Sequence, residues 1–175
     1  KFEEIVHDGI ITYLADNYVG DLPFDLQMIL VPGDLVDNGL SYSQWANTFF
    51  APAHPLFAHV PVYPVLGNHE SDTDYYFDYF HLPETGTEGY EEHWWYTDYS
   101  NLRVVGLDSN PGYQLDVQLD WLEEVLDDAC NNSSIDFVFA QLHHPYKSEL
   151  WLAGETDYTG EVISRMESFT EDCGK

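Results

Sequence analysis

"VPVYPVLGNHE", residues 60–70, is an apolar run that stops at a glycine and passes at once to an amide, an imidazole and a carboxylate. A short apolar stretch closed by a turn residue reads as a strand buried on both faces. The glycine lets the backbone turn without a Cβ clash, so Asn68, His69 and Glu70 are set to point over the edge of a sheet. Amide oxygen, imidazole and carboxylate share two aptitudes, holding metal ions and moving protons.

The same design recurs along the chain. "DLQMILVPGD" (25–34) ends in Asp34, "LRVVGLDSN" (102–110) ends in polar residues, and "IDFVFAQLHHP" (135–145) ends in His143 and His144. Between the last two, "QLDVQLDWLEEVLDDAC" (114–130) repeats Leu115, Leu119, Leu122 and Leu126 at helical spacing. Residues 3–18 place Val6, Ile10, Tyr13 and Leu14 on one stripe, which predicts an amphipathic helix. Strands alternating with helices predict an α/β sheet with parallel connections, whose ligands bind at the carboxyl ends of the strands. The segment 71–98, rich in Tyr, Trp and acid, reads as a short helix followed by a long loop.

Composition excludes several classes of function. Thirty-two acidic residues face five basic ones, for a formal net charge of −27. Such a surface repels phosphate backbones and anionic membranes, so no nucleic-acid partner is expected. The acids are dispersed, which reads as a solvated surface, and no D-x-[DN]-x-[DN]-G calcium loop is present. No membrane-spanning run exists. Cys130 and Cys173 are one possible disulfide pair or two buried thiols, and Asn131 and Asn132 each begin an N-x-[ST] sequon. A secreted or periplasmic location fits these features.

Asp34, Asn68 and His143 form a mixed oxygen and nitrogen donor set, suited to Zn, Fe or Mn. Two ions sharing a carboxylate could activate a water and clamp the oxygens of a phosphoryl group. Each motif alone is ordinary turn or rim chemistry, but their order along the chain is specific.

Through "GDLVDNG", "GNHE" and "HHP", with "QLDWLEEVL" between them, the chain resembles the calcineurin-like metallophosphoesterase superfamily. The resemblance implies an α/β/β/α sandwich and a metal-dependent phosphoesterase that cleaves phosphomonoesters or phosphodiesters with a metal-bridged hydroxide. By it, Asp34 bridges two ions of Fe, Zn or Mn. Asn68 binds the second ion and helps hold the phosphate, and His143 is a further ligand. His69 contacts the ester as catalytic acid, oriented by Glu70. If the strand geometry persists to its end, His144 points away from its neighbour, which assigns it to the rim rather than to the metal.

The flanks of GNHE look most like the purple acid phosphatase branch, whose tyrosine three residues after the bridging aspartate is here Asp37. The family's leading D-x-H strand and trailing G-H-x-H segment are absent, so residues 1–175 are expected to be one incomplete domain. The competing expectation is a non-catalytic acidic relative that binds a partner or a carbohydrate through the segment around His93, Trp94 and Trp95.

Overall fold

The structure, a computed structural model, describes residues 2–175. Its organising feature is a sheet of three strands: β3 (Trp95–Tyr99), β4 (Leu102–Gly106) and β5 (Phe137–Gln141). β3 and β4 form an antiparallel hairpin, turned by Ser100 at φ +55°. β5 runs parallel to β4 after a crossover through the Asp116–Asn131 helix. A second sheet pairs β1 (Ile29–Val31) with β2 (Val62–Pro64) in parallel.

Side-chain alternation along the larger sheet sorts neighbours into two cores. Trp94 and Val105 enter a cluster with Leu119, Leu122 and Leu126 of the Asp116–Asn131 helix and Val162 and Phe169 of the Asp157–Cys173 helix. Their neighbours Trp95 and Val104 enter another with Val65, Leu66, Trp45 and Phe49. Tyr63 of β2 lies 5.7 Å from Trp95 of β3, ring to ring, so the two sheets face each other. Helices cover the outer sides, and the α/β/β/α layering is the arrangement expected.

Both Trp94 and Trp95 are fully buried. An exposed aromatic platform at these residues is therefore ruled out. The expected loop over 71–98 also contains β3, because the β-favouring run from Trp94 pairs with the apolar β4 across a tight turn. The helix read into the same segment spans Asp74–Tyr79, capped by the Thr73 hydroxyl, which accepts from the Tyr75 amide.

Three further differences have local causes. β5 is not buried on both faces. Val138 and Ala140 pack on the first core, whereas Phe137 and Phe139 on the opposite face are 61% and 58% exposed. The N-terminal helix runs through Phe2–Glu4, Ile5–Ile11 and Thr12–Asn17, and its middle segment is π-helical. That wider turn rotates the stripe, burying Val6 and Leu14 but leaving Tyr13 exposed. Helical segments Tyr42–Gln44, Trp45–Phe50 and Ala51–Phe57 also fall outside the sequence expectation, and the last holds Pro55 in its interior. Pro52 is accommodated in the first turn of the last segment.

The helix predicted from the leucine repeat is present over Asp116–Asn131, with Leu115 as its N-cap. Its end is joined to that of the Asp157–Cys173 helix by a Cys130–Cys173 disulfide, which settles the open question of pairing. The bridge spans a sequence separation of 43 residues. On the chain-entropy account, replacing both cysteines with serine should cost roughly 4 kcal/mol. Denaturant melts of oxidised and double-mutant protein measure it, and a loss below about 1 kcal/mol would show that packing alone fixes the two helix ends.

Candidate metal and phosphoester site

Three loops at the carboxyl ends of β1, β2 and β5 meet without space between them. Gly33 takes φ +84°, and a Cβ there would stand 2.7 Å from the Gly67 nitrogen and 2.8 Å from His143 Nδ1. A Cβ on Gly67 would lie 2.4 Å from both the nitrogen and Oδ1 of Asp34. The glycines thus serve close approach of backbones as well as turning. Asp34 itself is held at φ +53°, a region that non-glycine residues seldom occupy and that functional sites favour.

Glu70 fixes this junction. Its carboxylate has no solvent exposure, and its Oε2 accepts from the amides of Gly67 (2.8 Å) and Asp34 (2.9 Å). Oε1 accepts from those of Leu35 (2.7 Å) and Val36 (3.3 Å). Burial pushes its pKa up, while these four N–H groups pull it back. Glu70 therefore ties the turn after β2 to the turn after β1. It does not orient His69, contrary to expectation. His69 Nδ1 donates instead to the Asp37 carbonyl at 2.8 Å. That bond, with help from the carboxylates of Asp34, Asp37 and Glu70, raises the His69 pKa against a smaller opposing effect of burial.

The sequence-predicted donors converge. His143 Nδ1 donates to the Pro32 carbonyl at 2.7 Å, which in the neutral ring leaves the lone pair on Nε2. Nε2 lies 3.3 Å from Asp34 Oδ2 and 3.3 Å from Asn68 Oδ1. The His69 amide donates to Asp34 Oδ1 at 3.1 Å, which sets the carboxylate's rotation, and His69 Nε2 is 3.8 Å from Asp34 Oδ2. The Nε2 lone pair thus has an oxygen from each of two other loops within 3.3 Å. Ligands about 2.1 Å from a single transition-metal ion stand roughly 3.0–3.4 Å apart, and both separations from Nε2 fall in that range. Among the described residues, no group of three or more His, Cys, Asp and Glu side chains gathers as a metal site. Asp34, Asn68 and His143 fall outside such a group because one of the three is an amide, and the donors present suit one ion rather than a pair.

A family model described as "Calcineurin-like phosphoesterase" matches residues 7–169. The chain belongs to that family. Its fold also matches the structure of purple acid phosphatase PPD1 from yellow lupin (Lupinus luteus) seeds, with a TM-score of 0.62 and 17% sequence identity. The match covers 94% of this chain and 31% of that one, so the chain spans about a third of the length of the plant enzyme. A search of curated proteins finds no match.

Within the calcineurin-like domain, His144 departs from its expected place at the rim. Its ring is buried, Nδ1 lies 2.9 Å from Ser109 Oγ, and the ring stacks on Trp151. Burial lowers its pKa, as does the neighbouring His143. The chain bends at both residues, so His143 faces the donor trio while His144 Nδ1 turns to Ser109 with the two rings only 5.0 Å apart.

Sequence reasoning missed a further layer after β4. Asp108 is fully buried and accepts from His93 Nδ1 at 2.9 Å and from the Asn110 side chain at 2.8 Å. Asn110 Nδ2 reaches the Gly67 carbonyl at 3.4 Å, so this loop braces the GNHE turn. His93 stacks on Tyr113, whose hydroxyl donates to Asp72 at 2.7 Å. The polar ending of "LRVVGLDSN" was the available signal. Its depth in the protein was not legible.

Proposed function

We propose that this chain provides the phosphate-handling part of a metal-dependent phosphoesterase acting on small phosphate esters. The observation that carries the reading is the convergence of Asp34 Oδ2, Asn68 Oδ1 and His143 Nε2. Those three would hold one ion of Fe, Zn or Mn. A second ion would share Asp34 and take its other ligands from beyond the described residues. Bound ions supply an activated water and offset the charge that develops on the phosphoryl oxygens.

The chain's own residues supply the rest. With its Oδ1 turned to the ion, Asn68 keeps an NH2 group free to donate to a phosphoryl oxygen. His69 is exposed, and its Nδ1–H is fixed on the Asp37 carbonyl, so its Nε2 is the atom that delivers a proton to the departing ester oxygen. Asp34 stands beside it and holds the ring's positive charge. A water oxygen bonds to phosphorus, the ester P–O bond breaks, the alcohol leaves with the proton from His69, and the proton the water sheds restores that on His69.

Export to an oxidising compartment belongs to the same proposal. The disulfide supports it, and no helix of the described residues is long and apolar enough to cross a membrane.

The test is metal content by elemental analysis after exposure to Mn, Fe and Zn, alongside turnover of an aryl phosphate. We expect Asp34→Ala to lose bound metal and to abolish turnover, with the fold kept by circular dichroism. Metal content and turnover that ignore the substitution would refute the assignment.

A further inference from the structure

We infer that His144 is a second phosphate contact, donating from Nε2–H to a non-bridging phosphoryl oxygen. This rests on the phosphoesterase reading and assigns to its site a residue that the metal-ligating motifs leave unused.

The tautomer follows from Ser109. Its buried Oγ accepts from the backbone amides of His144 at 2.9 Å and His143 at 3.3 Å. Both lone pairs of the hydroxyl are then occupied, so its single hydrogen is what bridges the 2.9 Å to His144 Nδ1. Nδ1 is thereby an acceptor, and the ring proton must sit on Nε2.

The ring is also clamped in place. Trp151 stacks on it, with centroids 5.3 Å apart and planes at 26°. Gly154 backs the indole so closely that a Cβ there would come within 2.2 Å of it. The Trp151 amide donates to Ser148 Oγ at 2.9 Å, and the loop is closed by the Thr156 amide donating to the Pro145 carbonyl at 3.0 Å. Thr159 Oγ1 donates to the carbonyl of His144 itself at 2.8 Å.

Orientation, rotation and proton position are therefore all fixed, yet the atom that carries the proton has no use within the protein. Among the described residues Nε2 finds no acceptor, although it is not sealed from solvent. The ring beside it, edge-on at 5.0 Å, is that of His143, whose own Nε2 faces Asp34 and Asn68. A neutral, preset N–H donor bordering a metal-ligand cluster suits an anion that must be held by hydrogen bonds on the side away from the ion. A phosphoryl group has oxygens to spare for it.

The experiment is a calorimetric titration of the manganese-loaded chain with inorganic phosphate, on wild type, His144→Phe and His144→Gln. Phenylalanine keeps the stack on Trp151 and removes the donor, while glutamine restores an N–H at a similar reach. A hydrogen bond to a charged group predicts that phosphate binds roughly tenfold or more weakly to His144→Phe. Manganese stoichiometry should be unchanged, and His144→Gln should recover part of the loss. Ser109→Ala, which frees the tautomer, should fall between wild type and His144→Phe. Should His144→Phe fail to fold, the glutamine and Ser109 variants decide. Phosphate affinity equal to wild type in the folded variants overturns the inference and leaves the phosphoesterase reading standing. So does a loss that tracks manganese stoichiometry. A manganese-loaded wild type that binds no phosphate overturns both together.

Discussion

Glu70→Ala should destabilise the protein by about 4 kcal/mol or more, because it strips the acceptor from four inward-facing amides. Each such group left without a partner carries a desolvation penalty, and the site is too deep for bulk water to replace the carboxylate. Glu70→Gln should not rescue it fully. A carboxylate offers acceptors on both oxygens, whereas an amide turns a donor toward either the Gly67 and Asp34 amides or those of Leu35 and Val36. Denaturant unfolding measures the loss. A cost for Glu70→Ala below about 1 kcal/mol would mean that the two turns hold each other without the carboxylate. The result bears directly on chemistry, since the tied turns carry Asp34, Asn68 and His69.

Gly67→Ala is expected to reduce turnover about 100-fold, the scale set by a misplacement of roughly 1 Å in a reacting constellation. The new methyl would collide with the Asp34 nitrogen and carboxylate, and backbone atoms cannot swing away as a flexible side chain could. Relief must come from moving the β1 turn away from the β2 turn, which opens the Asp34–Asn68–His143 trio. Gly112→Ala is the control, as its Cβ meets nothing within 4 Å. Kinetics of both variants on an aryl phosphate separate the cases. Equal activity in the two would show that the trio tolerates displacement.

What could be foreseen from sequence was whatever depends on local pattern. Strands that pair in parallel print as apolar runs even where they are only half-buried, so β1, β2, β4 and β5 and the turns after them stood out, and with them Asp34, Asn68 and His143. The Asp116–Asn131 helix stood out because leucines at its spacing have no other use. What depends on partners distant in sequence did not show. Glu70 looked like an aide to its neighbour His69, but its partners lie 34 to 36 residues away, as well as at Gly67. The orienting atom for His69 is a backbone carbonyl, Asp37 O, which no side-chain motif could announce. β3 was masked by the acidic, aromatic stretch before it, and the half-bare face of β5 was masked because exposed and buried phenylalanines are written with the same letter. His144 was assigned to the rim by extending the strand alternation, although the chain bends there and Ser109 and Trp151 decide its surroundings.

The bridge between Cys130 and Cys173 also makes a covalent ring of the chain from one cysteine to the other, and β5, both histidines and the Trp151 loop all lie within it. A protease that cuts this ring once, for instance at the fully exposed Leu150, releases nothing. Both new ends stay attached to the same molecule, and His143 stays tethered beside Asp34 and Asn68. The oxidised protein therefore tolerates a nick at Leu150 that would sever the reduced chain into two pieces, one with His143 and one without it.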